Sequence, residues 1–277
     1  MSSVPLPSLD SSSSTNFFNL YISTEDLFSN IVLSSFQLSF IYLLLYLFLV
    51  EILNITIKLS GHILFPSFDL SDLRPYAEVI KKIKSIGHMP YVVVGGGVPA
   101  RYYINLARAH GADESTCDYI GISIANINAR IFINALGDEA CQFVPTNFKE
   151  LDEAISTGKI VVMGGLQPGQ STTAVSSVLA ERTNSKLFII TTNIDGVYTA
   201  DPKKDPNAKK YDTINVDELM KILESQGIKA GEYDLLDPIA LKIIKRSKII
   251  TKVINGKDPI NILKAIVGEK IGTTILP

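Results

Sequence analysis

The chain has 277 residues, 46% hydrophobic and 19% charged, enough for one large α/β domain or two small ones around a sizeable core. Its 26 basic and 28 acidic residues give a net charge of -2, which leaves no electrostatic case for a nucleic-acid partner. Cys117 and Cys141 fit no metal or redox spacing, and His62, His88 and His110 are scattered, so no metal cluster is expected and a reducing cytoplasm is the default compartment.

Met1 to Thr15 is Ser- and Pro-rich and is expected to carry no ordered structure. Ile31 to Val50 is twenty residues without a charge, long enough to cross a bilayer. No Lys or Arg precedes Lys58, so the basic start of a signal peptide is missing, and the charge bias would place the C-terminal part in the cytoplasm. A strand at Ile55–Leu59 follows within a few residues, and would tie a membrane helix almost directly to the core. The preferred expectation is a non-native or dispensable extension over 1–52, before a domain over 53–277. A membrane anchor at 31–50 and a partner-binding helix are the alternatives.

The first strand delivers Lys58 just before Ser60-Gly61-His62. Lys58 is either a phosphate ligand or a strand-end lysine reaching solvent. Leu73 to Ser85 reads as an amphipathic helix with Leu73, Tyr76, Ile80 and Ile83 on one face, stopped by Gly87. Tyr91 to Val94 is a second buried strand, running into Gly95-Gly96-Gly97 and a helix to about Ala109 with Pro99 in its first turn. Arg101 lies one turn into that helix, either aimed at a phosphate or simply exposed. Gly95, Gly97 and Ala100 match a loose dinucleotide fingerprint, but the second strand ending in an acidic residue is missing, so a Rossmann dehydrogenase is excluded.

Asp118 opens a predicted helix to about Leu136, with Ile120, Ile124, Ile127 and Ile131 at helical spacing. Asp118 is then a helix cap, a ribose-hydroxyl acceptor, or both. Ala140 to Val144 is a possible strand ended by Pro145, and Asn147 can cap a helix from Phe148 to about Ser156. Lys159 to Met163 is the next buried strand. It feeds Gly164-Gly165-Leu166-Gln167-Pro168-Gly169-Gln170-Ser171-Thr172, which opens a helix from Thr173 to Glu181. Strand, glycine loop and helix start make an anion-binding layout, with Ser171 and Thr172 adding hydroxyls. Gln170 stands where a P-loop has its lysine, so this is not a P-loop.

Leu187 to Thr191 is a further buried strand, ending in Thr192-Asn193-Ile194-Asp195-Gly196-Val197-Tyr198 and Asp201-Pro202. Polar groups at a strand's C-terminal end mark the usual ligand edge of an α/β sheet. A helix at Asp217–Ser225 ended by Gln226-Gly227, an Asp237-Pro238 cap opening Ile239–Arg246, a strand at Ile249–Ile254, a short helix at Ile260–Val267 and a last strand at Thr273–Leu276 complete the chain. No internal repeat of fixed period occurs.

Taken in order, Lys58 to Gly61, Gly95 to Gly97 with Arg101, Gly164 to Thr172, and Thr192 to Tyr198 with Asp201-Pro202 resemble the amino acid kinase superfamily. Within it the chain most closely resembles the archaeal-type uridylate kinases, and the four loops in order, with Asp118-Tyr119-Ile120-Gly121 and Leu235-Leu236-Asp237-Pro238, make the resemblance specific. The resemblance covers about Leu53 to Pro277. It implies a three-layer αβα sandwich on a mainly parallel sheet and phosphoryl transfer from MgATP to UMP, giving UDP and ADP.

By that resemblance Lys58, Arg101 and Lys242 are catalytic. Gly61, His62, Gly97, Arg101, Thr192, Asn193, Tyr198 and Asp201 bind ATP. Gly96, Asp118 and the loop Leu166, Gln167, Pro168, Gly169, Gln170, Ser171 and Thr172 bind UMP. Many members carry an aspartate where this chain has Thr173, so an acidic organiser is absent. Mg²⁺ is then expected on ATP oxygens and water, with no protein ligand named. The superfamily also implies a homo-oligomer, typically a hexamer. The alternatives are a relative acting on isopentenyl phosphate, carbamate or a carboxylate, a non-catalytic nucleotide-binding or storage protein, and a membrane-attached nucleotide sensor.

Overall fold

The computed structural model describes residues 52–200, 202, 205–225 and 236–277. The apolar run at 31–50, Asp201, Gln226-Gly227 and Leu235 lie outside the described residues.

Among the described residues seven strands form one sheet: β1 (Asn54–Leu59), β2 (Met89–Val94), β3 (Val161–Met163), β4 (Leu187–Thr192), β5 (Thr213–Asn215), β6 (Ile250–Asn255) and β7 (Thr273–Leu276). Their spatial order is β3-β2-β1-β4-β6-β7-β5, and every neighbouring pair is parallel except β6 with β7. The chain steps outward from β1 to β2 and β3, then returns to β4 on the other side of β1. The strand order therefore reverses between β1 and β4, where an open α/β sheet has its ligand crevice.

The helices are α1 (Gly61–Leu64), α2 (Arg74–Ser85), α3 (Gly97–Ala109), α4 (Glu114–Leu136), α5 (Phe148–Ser156), α6 (Thr172–Arg182), α7 (Val216–Ser225), α8 (Pro238–Ser247) and α9 (Ile260–Ile266). On one face of the sheet, α2, α4 and α9 close a core containing Ile57, Ile80, Ile83, Phe132 and Ile189. On the other face, α6 and α8 cover the sheet, with Phe188, Ile190, Leu241 and Ile244 between them. Helices on both faces of a mostly parallel sheet give the expected αβα sandwich.

Strand β1 is divided between these faces. Ile55, Ile57 and Leu59 point into the first core and are fully or nearly fully buried. Asn54, Thr56 and Lys58 alternate with them and face the α6 side. Behind that stripe lies a hydroxyl cluster: Thr56 Oγ1 is 2.9 Å from Ser185 Oγ, which is 2.8 Å from Thr183 Oγ1. Asn54 Nδ2 donates to the Thr183 carbonyl at 2.6 Å. Asn54 and Thr56 can sit at the centre of this sheet because each finds such a partner.

His88, just before β2, accepts the Leu53 N–H on Nδ1 at 3.3 Å, and burial holds its pKa below the ordinary 6.5. Its folded-state pKa being the lower one, the unfolded chain takes up the proton first as pH falls. The stability it contributes is present above about pH 6.5 and is lost as pH falls through the folded pKa. The urea midpoint is expected to drop between about pH 7.5 and pH 5, and His88→Asn, which keeps an acceptor, is expected to lose part of that drop. An unchanged pH dependence in His88→Asn would show that the ring does not titrate in folding.

Several sequence expectations need correction. The long helix begins at Glu114, not Asp118, because Asp113 caps it by accepting the Thr116 N–H at 2.7 Å. Asp118 therefore lies in the second turn and is not a cap. The helical spacing of the isoleucines holds, with Ile120 and Ile124 part-buried and Ile127 and Ile131 exposed, and the packed face is Ala125, Asn128, Ala129, Phe132 and Ile133. Ala140 to Val144 is not a strand but a single parallel bridge from Ala140 to Ile160. Gln142 Nε2 bonds the Gly137 and Ala140 carbonyls, each at 2.9 Å, and curls the segment away from the sheet. Strand β5 was not anticipated, since only Ile214 of its three residues is buried and no alternation can show.

Candidate active site

Four adjacent strands, in the order β3-β2-β1-β4, release their glycine-bearing loops at the same edge of the sheet. The β1 exit is fastened to β4: the Ser60 N–H donates to Thr191 Oγ1 at 3.0 Å, and Thr191 Oγ1 donates to the Lys58 carbonyl at 3.1 Å. Lys58 itself is 9% exposed, on the α6 side of the strand.

The β1 and β2 loops meet backbone to backbone. A Cβ on Gly61 would lie 2.2 Å from the Gly97 nitrogen and 2.6 Å from the Gly95 carbonyl carbon. Gly97, at φ +68°, turns the chain into α3. The Gly95 N–H continues the sheet to the Leu59 carbonyl at 3.0 Å, and the Val98 N–H reaches the Phe65 carbonyl at 3.1 Å. Gly61 and His62 form the first turn of α1, and Arg101 is exposed on the second turn of α3.

Helix α4 packs closely against the glycine loops that follow β2 and β3. Gly164 and Gly165 lie so close to it that a Cβ would approach the Ala125 carbonyl carbon at 2.6 Å and the Ile122 side chain at 2.8 Å. Asp118 Oδ2 accepts the Gly169 N–H at 2.8 Å, which brings Asp118 to the 164–172 loop. Asn128, 4% exposed, donates from Nδ2 to the Gly95 and Gly96 carbonyls, each at 3.0 Å. Sequence reasoning missed Asn128. Its signal is an amide at i+3 from Ala125 and i−4 from Phe132, on a face that the isoleucine stripe concealed.

The 164–172 loop ends in a double cap. Ser171 Oγ accepts the N–H groups of Thr173 and Ala174, each at 3.1 Å, and starts α6. Its hydroxyl proton is directed at Asp237 Oδ2. Asp237 caps α8 through the Ala240 N–H at 2.7 Å. At their far ends the same helices are joined by Glu181, which accepts from Arg246 Nε at 2.9 Å and Ser247 Oγ at 2.6 Å. The Arg246 hydrogen bond holds the Glu181 carboxyl below its ordinary pKa. Helices α6 and α8 therefore run side by side, fastened at both ends. Lys242 is exposed on the second turn of α8, and Thr173 is buried in the first turn of α6.

At the β4 exit Thr192 is buried and its carbonyl accepts the Gly256 N–H at 2.8 Å, while Asn193 is exposed. Asp195 Oδ1 accepts from Asn255 Nδ2 at 2.8 Å. The Val197 N–H donates to Thr273 Oγ1 at 2.9 Å, and Tyr198 bridges antiparallel to Lys210. Leu166 to Gln170 belong to the β3 loop, and Thr172 is the first residue of α6. The structure thus brings the β1 and β2 glycines into contact, Asp118 onto the β3 loop, and Ser171 onto the start of α8. Arg101, Asn193 and Lys242 stay on the surface.

Among the described residues no three His, Cys, Asp or Glu side chains converge into a metal cage. The donor set here is backbone N–H, lysine and hydroxyl, which suits anionic oxygens rather than a bare cation.

The model of the amino acid kinase family matches residues 55–255, and the chain belongs to this family. Within it, the relatives are uridylate kinases. The protein of that name from Methanothermobacter thermautotrophicus is 45% identical over 225 residues, which is 81% of this chain and 100% of the relative. The one from Methanosarcina barkeri is 47% identical over 208 residues, 75% of this chain and 89% of its own. The crystal structure of uridylate kinase from Archaeoglobus fulgidus superposes with a TM-score of 0.71 at 41% identity, covering 80% of this chain and 99% of that one.

Proposed function

We infer that the protein is a UMP kinase, a phosphotransferase that moves the γ-phosphoryl group of ATP to UMP and yields UDP and ADP. The observation that carries this is the match to uridylate kinases over nearly the whole described domain, with the glycine loops on one sheet edge. The kinase domain is assigned to 53–277, with 1–52 as an extension.

Phosphoryl transfer asks for in-line positioning and neutralised charge rather than covalent help from the protein. A phosphate oxygen of UMP attacks Pγ, and the bond from Pγ to the β,γ-bridging oxygen breaks as ADP leaves. Lys58 lies at the β1–β4 switch point, where a lysine neutralises the transferring group. Backbone N–H groups at Gly61, Gly96 and Gly97 supply further donors, and Arg101 and Lys242 add positive charge at the rim. Asp118 and the loop Leu166–Thr172 are assigned to UMP. His62, Thr192, Asn193, Tyr198 and Asp201 are assigned to ATP. Mg²⁺ arrives on the ATP oxygens as part of the substrate, since the described site offers donors for anions.

The exposed side chains Tyr103, Leu106, Tyr119, Ile127 and Ile131 on α3 and α4 support a homo-oligomer, with a hexamer proposed from the superfamily. A cytoplasmic location is the matching proposal for the kinase domain.

The test is ADP release with MgATP and a panel of UMP, CMP, dUMP, AMP, GMP, isopentenyl phosphate, carbamate and acetylglutamate. UMP-dependent release well above the others is expected. Silence with UMP and turnover with another acceptor would keep the family and replace the substrate.

A further inference from the structure

Asn128 sits in the middle of α4, where a polar residue has no helical reason to be. Its neighbours on the packed face are Ala125, Ala129 and Phe132, and it is 4% exposed. Its carboxamide reaches two consecutive carbonyls, those of Gly95 and Gly96, each at 3.0 Å. Only the NH₂ end can face two carbonyl oxygens, so the amide orientation follows from its partners.

The consequence falls on the opposite side of the peptide planes. No cis peptide bond occurs among the described residues, and in a trans peptide the N–H points away from the C=O. Holding the Gly95 and Gly96 carbonyls toward α4 therefore aims the N–H groups of Gly96 and Gly97 away from α4. On that side the Gly97 nitrogen lies against Gly61, in the loop that leaves β1 after Lys58. Glycines have no side chain to hold these planes, and the backbone at such positions is the most permissive in the chain. The Ala100 N–H reaches the Gly96 carbonyl at 3.4 Å, and Asn128 is the side chain that holds the Gly95 and Gly96 carbonyls together, each at 3.0 Å.

We propose that Asn128 is a positioning residue for phosphoryl transfer: its side chain fixes the Gly95 and Gly96 peptides so that the Gly96 and Gly97 N–H groups face the reacting phosphates. This rests on the kinase reading above. Asn128 touches neither nucleotide and acts through the loop. The preorganised donors cost no rotation at the moment of reaction, and a misplacement of about 1 Å can cost about a hundredfold in rate.

The test compares Asn128→Leu and Asn128→Ser in the full chain. Leucine keeps the branched shape and removes both donated bonds, and serine keeps one hydroxyl donor on a shorter side chain. Asn128→Leu is expected to lower kcat with UMP about a hundredfold while KM for ATP stays within about twofold, and Asn128→Ser to recover about tenfold of that loss. Amide hydrogen exchange over residues 95–100 is expected to be faster in Asn128→Leu. A folded Asn128→Leu with kcat within about threefold of the parent overturns the proposal, whatever its thermal midpoint. Should Asn128→Leu not fold, Asn128→Ser decides: about tenfold slower turnover supports the role, and unchanged turnover overturns it. Should the parent chain be inactive toward UMP, that failure belongs to the substrate assignment. The exchange experiment needs no substrate, and unchanged exchange at 95–100 in Asn128→Leu then overturns the Asn128 role by itself.

Discussion

Lys58→Ala is expected to lower kcat for UDP formation at least about a hundredfold, with ATP still bound, because one preorganised charge-stabilising group is worth about 3 kcal/mol in the transition state. The magnitude follows from where the lysine sits. It is 9% exposed and belongs to the strand at which the sheet order reverses. A charge in so dry a place acts more strongly on a neighbouring phosphoryl group than a surface lysine could, since water does not screen it. Its backbone is fixed as well, the Lys58 carbonyl being held by Thr191 Oγ1. ATP is assigned contacts from several loops, so losing one lysine leaves most of the binding. The measurement is turnover by ADP release, beside an ATP-dependent thermal shift. Turnover above about a third of the parent's, in a variant that still shifts with ATP, would remove Lys58 from the mechanism. Arg101 and Lys242, both exposed, are expected to cost less when replaced.

Gly61→Ala is the second large effect, and it acts through space. The new methyl group would stand 2.2 Å from the Gly97 nitrogen and 2.7 Å from the Gly95 oxygen, all main-chain atoms that cannot swing aside. Overpacking against a movable side chain costs about 1–3 kcal/mol, and against two fixed backbones about 3 kcal/mol or more is expected. Either the β1 and β2 loops part, with loss of the phosphate donors they share, or the domain loses stability outright. Chemical denaturation and kcat measured together separate these outcomes. A variant within about 1 kcal/mol of the parent and fully active would mean that the two loops do not touch in solution. Gly87→Ala is a useful contrast: its φ is +94°, but no atom lies within 4 Å of where the added methyl group would sit, so its cost is local strain alone.

Strands β2 and β4 were legible as short apolar runs stopped by glycine and threonine, and β1 as Ile55, Ile57 and Leu59 alternating with polar residues ahead of Gly61. So were the glycine loops, since a turn at a strand's end needs few residues to declare itself. Asn128 was not legible, for a physical reason. On α4 the regularly spaced isoleucines end in the exposed Ile127 and Ile131, while the packed face mixes Ala125, Ala129, Phe132 and Ile133 with an amide. Periodicity reports which residues share a face, not which face is inside. Asp237 was read as a cap, and it is one, but its second oxygen meets Ser171 sixty-six positions earlier in the chain. No local pattern encodes a bond at that separation. The start of α4 was misplaced because Asp118 and Asp113 are both plausible caps in sequence, and only the Thr116 N–H distinguishes them.

The polar row on β1 has a consequence for how the chain finds this structure. Shifting the strand by one residue against its neighbours would exchange its faces, driving Asn54, Thr56 and Lys58 among the isoleucines packed under α2 and α4. It would also strand Ile55, Ile57 and Leu59 beside the hydroxyls of Thr183 and Ser185. A central strand apolar on both sides carries no such penalty and is free to mispair. The lysine assigned to the chemistry therefore also serves as an alignment mark, and a variant that replaces the row with valines would be expected to trade fidelity of strand pairing for burial.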